Sequence, residues 1–168
     1  GAVSGVASKA VGLAAREGTL IESLPCLRCF EADTTVQTES GLKSIDKIST
    51  DDKVLSYNTE TGEMSYQPVL EKFARFADDI YTIKIEGEEK GLNVTREHPF
   101  YTKIYRDGVS TDAEWKEVKN LKANDQIKLA SGNWAKILEI KFKGKGQVYN
   151  FSVANNHDYF VGDSRLLT

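Results

Sequence analysis

Residues 24–41 of the chain, LPCLRCFEADTTVQTESG, place a cysteine directly before a candidate β-strand. Cys29 is followed by an aromatic residue and a short acidic run, and residues 34–38 are rich in threonine and valine, which favour strands. The Cys29 thiol lies one peptide bond from the carbonyl carbon of Arg28, where it can attack and convert the amide into a thioester. The alternative is a buried cysteine that serves only in packing.

The composition is that of a soluble globular chain. It has 168 residues, of which 40% are hydrophobic and 28% charged, so we expect one domain or two small ones. A net charge of −3 argues against nucleic acid as a partner. No apolar run approaches the roughly 20 residues of a membrane-spanning helix, so we expect no membrane partner. Two cysteines are too few for a disulfide framework.

From residue 30 onward the pattern predicts an all-β fold with little helix. Turn signals separate the strand candidates, among them residues 144–146, GKG. Short helical turns fit residues 44–48 and 117–121. Ten segments alternate in polarity or are rich in β-branched and aromatic residues, and we predict strands there: 34–38, 53–57, 64–76, 80–86, 92–95, 100–105, 125–129, 135–142, 147–153 and 158–161.

The chain also repeats itself weakly. Residues 42–48, LKSIDKI, resemble residues 115–121, WKEVKNL, and residues 80–85, IYTIKI, resemble residues 148–153, VYNFSV. The two matches keep the same order and nearly the same offset, which predicts two related halves rather than chance similarity between strands. A seam between two such halves is a natural place for a functional site.

Two histidines are the other candidates for chemistry. His98 lies in NVTREHPF, residues 93–100, where a strand runs through Thr95 and Pro99 ends or bends it. Thr95 and His98, three residues apart with a turn between them, can bring a hydroxyl and an imidazole to one peptide group. His157 lies in a loop between two predicted strands. Either histidine taken alone is more often structural than catalytic.

Together, Cys29, the Thr95–His98 motif and the segment VYNFSVANNHDYFVG, residues 148–162, resemble the Hedgehog/intein (Hint) superfamily. The chain is more similar to bacterial intein-like and pretoxin-type Hint domains than to Hedgehog proteins. The resemblance covers about 140 residues, 29–168. It implies a horseshoe of two pseudo-twofold-related halves, preceded by an N-terminal flank, residues 1–28, in which residues 7–15 favour a short weak helix.

The resemblance implies self-processing chemistry. Cys29 would attack the Arg28 carbonyl in an N-to-S acyl shift, Thr95 would hold the carbonyl or amide, and His98 would protonate the leaving nitrogen. His157 would assist at the other splice junction. The reaction is a single turnover in cis, so the partners are the flanking segments of the same polypeptide. It needs no cofactor, and one C-x-x-C with two otherwise engaged histidines predicts no metal site.

Two features depart from the family pattern. Many inteins have an aspartate in the late strand where this chain has Asn150, so we assign Asn150 a supporting role and do not expect efficient splicing. Family members of this type continue with a His-Asn pair after the segment that matches residues 165–168. The sequence ends at Thr168, so we expect neither splicing nor C-side cleavage from this chain.

The nucleophile is also part of a C-x-x-C motif, Cys26 to Cys29. A disulfide between these cysteines would block Cys29 and act as a redox switch. The alternative is a reduced pair in which Cys26 is an ordinary residue of the flank.

Two other functions remain open from the sequence. One is a degenerate, catalytically inert Hint module that links segments of a larger, toxin-like protein. The other is a cysteine hydrolase that acts on other chains, which would need an open cleft beside Cys29. The sequence does not fix the localisation, and the family analogy implies a bacterial protein within a larger secreted or cell-surface polypeptide. We expect a monomer.

Overall fold

The computed structural model describes residues 28–168, and the fold there is all-β as predicted. The two helices are single 3₁₀ turns, Ile45–Lys47 and Val118–Asn120. Neither these nor any other helix among the described residues is long and apolar enough to cross a membrane. Fourteen strands make up the described fold: β1 (Phe30–Glu31), β2 (Thr35–Thr38), β3 (Gly41–Ser44), β4 (Lys53–Tyr57), β5 (Met64–Ile85), β6 (Leu92–Thr95), β7 (Pro99–Lys103), β8 (Tyr105–Arg106), β9 (Val109–Ser110), β10 (Glu114–Glu117), β11 (Gln126–Lys128), β12 (Trp134–Val153), β13 (Phe160–Val161) and β14 (Leu166–Leu167).

Two long strands, β5 and β12, form the backbone of the fold. They pair antiparallel along almost their whole length, from Ile137 opposite Ile85 to Val153 opposite Val69. The other strands extend this pair in the order β10-β7-β11-β12-β1-β6-β5-β4-β2-β13-β14, with β3 beside β2. Strands β8 and β9 form a separate hairpin.

The continuity of the long strands differs from the sequence prediction. We predicted a turn at residues 144–146, and that prediction is wrong, because β12 runs through them. The register with β5 shifts on both sides of Gly144, whose φ is 118°, a conformation that favours glycine. The glycines therefore make an irregularity that bends a continuous strand, as β-bulges do.

The predicted internal repeat is present in the structure. The two 3₁₀ helices occupy positions 73 residues apart, like the sequence match that predicted them. After each helix an aspartate closes an equivalent turn. Asp52 Oδ2 accepts a hydrogen bond from the Ser49 N–H at 2.8 Å, and Asp125 Oδ2 accepts one from the Lys122 N–H at 2.8 Å. Matched bonds at matched positions confirm two related halves.

Strand β1 lies at the seam between these halves. Phe30 is opposite Tyr149 of β12 on one side and opposite Val94 of β6 on the other. The Phe30 side chain is fully buried and packs against Phe100 with a 6.0 Å ring separation. Burial of such a side chain contributes roughly 2–3 kcal/mol. Packing of β1 therefore fixes Cys29, the residue before it, and with it the peptide bond between Arg28 and Cys29.

Candidate functional site

The amide nitrogen of Cys29 is held by Thr95, the last residue of β6. The Cys29 N–H donates to Thr95 Oγ1 at 2.8 Å, and the Thr95 N–H donates to the Cys29 carbonyl at 2.9 Å. Both residues are fully buried. The threonine hydroxyl thus fixes the nitrogen that would leave if the Arg28–Cys29 bond were cut.

The carbonyl side of the same peptide bond is held by Asn150 of β12. Asn150 Nδ2 donates a hydrogen bond to the Arg28 carbonyl oxygen. The other atom of the amide, Oδ1, accepts from the Phe151 N–H at 2.7 Å and from the Tyr159 hydroxyl at 2.6 Å. A donor in this position stabilises negative charge that develops on the carbonyl oxygen during attack.

His98 is the third side chain at this bond. Its ring is buried beside Phe30 and Phe100, with ring separations of 4.2 Å and 5.8 Å. The residue lies in a turn in which the backbone N–H of His98 donates to the Thr95 carbonyl at 3.1 Å. Burial lowers the pKa of His98 to about 3, although a hydrogen bond with the Arg28 backbone acts in the opposite direction. Since that bond favours the protonated ring, its acceptor is the Arg28 carbonyl.

A neutral His98 ring therefore faces the carbonyl at neutral pH. Its Nδ1 is buried without a hydrogen-bond partner, so Nε2 is the ring nitrogen available to the Arg28 backbone. A neutral imidazole provides one N–H donor and one free acceptor nitrogen. The family resemblance implies that His98 protonates the leaving nitrogen, and that role stays a prediction.

Cys29, the candidate nucleophile, does not carry a free thiol in this structure. Cys29 is disulfide-bonded and fully buried. Cys26, the other cysteine of the sequence and a member of the predicted redox switch, lies outside the described residues, as does the predicted flank 1–28 apart from Arg28. No group of three or more metal-ligating side chains occurs within residues 28–168.

An open cleft of about 500 Å³ borders the site on the Arg28 side. Its lining includes Arg28, Glu117, His157 and Thr168. Arg28 Nη2 lies 3.7 Å from Glu117 Oε2. His157 is exposed with a φ of 60° and lines this cleft together with Arg28, whereas Thr95 and His98 are buried.

The loop that carries His157 is anchored by its neighbour Asp158. This buried carboxylate accepts hydrogen bonds from Ser56 Oγ at 2.7 Å and from the Tyr57 N–H at 2.8 Å. Burial raises the pKa of Asp158, while these hydrogen bonds act against that shift. Asp158 thereby joins the loop after β12 to strand β4.

Sequence reasoning missed Tyr159. It stands beside the candidate His157 and reads as an ordinary strand residue, yet its hydroxyl contacts Asn150 at the site. A tyrosine that becomes buried in a strand needs a hydrogen-bond partner for its hydroxyl. That need for a partner was the available signal.

Acid should destabilise the fold through His98. The unfolded imidazole has a pKa near 6.5, whereas the buried ring has a pKa of about 3. Between those values the unfolded chain binds a proton that the folded chain does not, so the free energy of unfolding falls as pH falls from about 6.5 to about 3. Urea unfolding at several pH values, with Cys29→Ala as the background, measures this slope. His98→Gln should flatten it, and an unchanged slope in that variant would assign acid sensitivity to other groups.

Comparisons with known proteins agree with the predicted family and fold. The family described as the pretoxin HINT domain matches residues 35–168. The solution structure of a bacterial intein-like domain from Clostridium thermocellum is 32% identical, with a TM-score of 0.74, over 83% of this chain and 96% of that chain. No curated protein matches the chain.

Two inteins share the fold at lower identity. A DnaB intein from Synechocystis sp. PCC 6803 is 20% identical, with a TM-score of 0.70, over 83% of this chain and 96% of that one. The DnaX mini intein from Spirulina platensis is 21% identical, with a TM-score of 0.67, over 83% and 98% of the two chains. With the family match over most of its length, the chain belongs to the pretoxin Hint family of the Hedgehog/intein superfamily, a family of self-processing domains.

Proposed function

We propose that this Hint domain cuts its own backbone at the Arg28–Cys29 bond through an N-to-S acyl shift. The observation that carries the proposal is that both sides of this one peptide bond are held by side chains. Thr95 binds the nitrogen, and Asn150 binds the carbonyl oxygen. Most buried backbone groups pair with other backbone groups, whereas here side chains hold both the nitrogen and the carbonyl oxygen of one peptide bond.

The reaction begins with the reduced Cys29 thiol. Its sulfur forms a bond to the Arg28 carbonyl carbon, the C–N bond to Cys29 breaks, and the thiol proton ends on the freed α-amine. Water or another nucleophile then attacks the thioester. Hydrolysis leaves a carboxylate on Arg28 and returns the thiol to Cys29, so residues 1–28 separate from residues 29–168.

Each atom of the scissile bond that a side chain holds takes part in these reaction steps. Asn150 Nδ2 and the neutral His98 N–H stabilise the oxyanion that forms at the Arg28 oxygen. The Thr95 hydroxyl orients the Cys29 nitrogen as its bond to carbon lengthens. Positioning of this kind lowers the barrier because the reacting atoms already have the geometry of attack.

The disulfide at Cys29 makes the proposed reaction dependent on reduction. A sulfur bonded to another sulfur cannot attack a carbonyl, because the thiolate is the nucleophile. We assign the partner sulfur to Cys26, the other cysteine of the chain. A reducing environment would release Cys29 and start the cleavage.

The partners in this proposal are the chain's own flanking segments. The domain acts in cis as a monomer and needs neither nucleic acid, a membrane nor a cofactor. His157, which lines the open cleft with Thr168, serves the C-side junction. The family analogy extends the proposal to release of a segment from a larger, toxin-like bacterial protein.

The test follows the intact mass of the purified chain over time, with and without a thiol reductant. The reduced wild type should lose residues 1–28, and added hydroxylamine should accelerate the loss by attacking the thioester. Cys29→Ala should keep its mass under every condition. The oxidised wild type should also keep its mass and be two hydrogens lighter than the reduced chain.

The second candidate is the inert Hint module, which the engaged state of Cys29 favours. It predicts an unchanged mass for the reduced wild type even with hydroxylamine. That result would contradict the acyl shift at Arg28–Cys29.

A further inference from the structure

The Asn150 amide has one orientation that suits the proposed chemistry. Its two ends have opposite hydrogen-bonding character, since Nδ2 donates and Oδ1 accepts. With Nδ2 toward the Arg28 oxygen, the contact is attractive. If the amide were rotated by half a turn, Oδ1 would face the carbonyl oxygen and would repel the negative charge that builds up there.

Two donors at Oδ1 select the productive orientation. The Phe151 N–H donates to Oδ1 at 2.7 Å, and this donor belongs to the backbone of β12. The Tyr159 hydroxyl donates to the same atom at 2.6 Å from the loop that leads to β13. Rotation of the amide would place Nδ2 against the Phe151 N–H, which cannot accept, and would break the bond that the Tyr159 hydroxyl now donates, so that this hydroxyl would have to turn and accept instead.

Tyr159 is itself held firmly in place. Its side chain is 4% exposed, and its ring packs on Phe151 with a 4.2 Å separation and an interplanar angle of 30°. The backbone N–H of Tyr159 donates to the Thr168 carbonyl at 3.0 Å. Burial raises the pKa of Tyr159, so the hydroxyl keeps its proton and stays a donor.

We propose that Tyr159 is a positioning residue whose hydroxyl orients the Asn150 amide toward the carbonyl of the scissile bond. This inference rests on the proposed acyl shift for its functional meaning. Tyr159 touches no reacting atom and acts through Asn150. It also joins the late strand β12 to the segment near Thr168, so that the C-side segment helps to assemble the N-side site.

The orientation can be measured without any cleavage. In the Cys29→Ala precursor, residues 28 and 29 become the only Arg-Ala pair in the chain. Labelling arginine with ¹³C at the carbonyl and alanine with ¹⁵N therefore gives one cross-peak, which reports on the Arg28 carbonyl. Tyr159→Phe should move this carbonyl resonance upfield, as expected for a weakened hydrogen bond. Tyr149→Phe removes a hydroxyl from the neighbouring position of β12 and should leave the resonance in place.

The rate of cleavage provides the second readout. In the reduced chain, Tyr159→Phe keeps the ring packing and should slow release of residues 1–28 by about three- to tenfold, the range expected for one neutral hydrogen bond. In an Asn150→Ala background, the same substitution should have no further effect, because there is no amide left to orient.

The outcomes separate this inference from the proposed function. An unmoved Arg28 resonance in Tyr159→Phe would overturn the positioning role, whether or not the wild type cleaves. Equal rate losses in the wild-type and Asn150→Ala backgrounds would do the same, by showing that Tyr159 acts elsewhere. A shifted resonance in a chain that never cleaves would uphold the orientation of Asn150 and contradict only the acyl shift.

Discussion

His98→Ala is expected to slow the release of residues 1–28 from the reduced chain by about 10²–10⁴-fold, the usual contribution of a positioned acid–base or oxyanion-stabilising group. The ring donates to the Arg28 carbonyl from a fully buried position beside Phe30. In such a dry environment, a hydrogen bond to a developing oxyanion is stronger than it would be in water. Intact mass over time gives the rate.

A second substitution separates the two roles that His98 can play. His98→Gln keeps an N–H donor but has no nitrogen that titrates. A variant that retains much of the rate would assign His98 to oxyanion stabilisation, whereas a loss equal to that of alanine would assign it to proton transfer. Phe100→Leu changes the packing of the same aromatic cluster and measures how much rate is lost to packing alone. If His98→Ala slows release no more than Phe100→Leu, His98 has no role in the chemistry.

The fold could be predicted from the sequence because each half repeats a local pattern. Apolar alternation located most strands, and the two matching segments predicted the halves and their 3₁₀ turns. The continuity of β12 could not be predicted, because glycines in a bulge and glycines in a turn give the same local sequence signal. Short strands such as β3 and β10 were also missed. Their sequences, GLKS and EWKE, each contain a single large hydrophobic residue, which is too few to give an alternating pattern.

The site could be predicted from the sequence only in part, and a comparison of the two related halves shows why. The turn from Thr95 to His98 has a counterpart from Glu31 to Thr34, where the Thr34 N–H donates to the Glu31 carbonyl at 3.1 Å. Both turns are closed by a backbone hydrogen bond between residues three apart, yet only one of them carries an imidazole. That imidazole could be found from the sequence, because Thr95 and His98 form a motif within one short segment.

The contacts of Asn150 and Tyr159 could not be found in this way. Asn150 lies 122 residues from Arg28, whose carbonyl it binds, and the two meet only because β1 inserts between β12 and β6. A resemblance to known sequences suggested a supporting role for this position. The direction of its amide, and therefore its action on the carbonyl oxygen, is a property of the folded chain.

Asn150→Ala is expected to slow the release of residues 1–28 by about 10²-fold, the lower end of the range for loss of one oxyanion donor. The substitution removes the Nδ2 donor to the Arg28 oxygen and leaves the Thr95 contact with the Cys29 nitrogen in place. The scissile bond should therefore stay positioned but lose stabilisation of its transition state. Intact mass of the reduced chain measures the rate, and thermal unfolding checks that the fold persists.

Asn133→Ala is the matched control, since it removes an exposed amide from a surface turn remote from the scissile bond. It should cleave at the wild-type rate. A loss of twofold or less in Asn150→Ala would show that the Arg28 oxygen gains its stabilisation elsewhere, and His98 would then be the remaining donor. If Asn150→Ala and His98→Ala each cost a large factor and the double variant costs less than their product, the two donors act on the same oxyanion and share its charge.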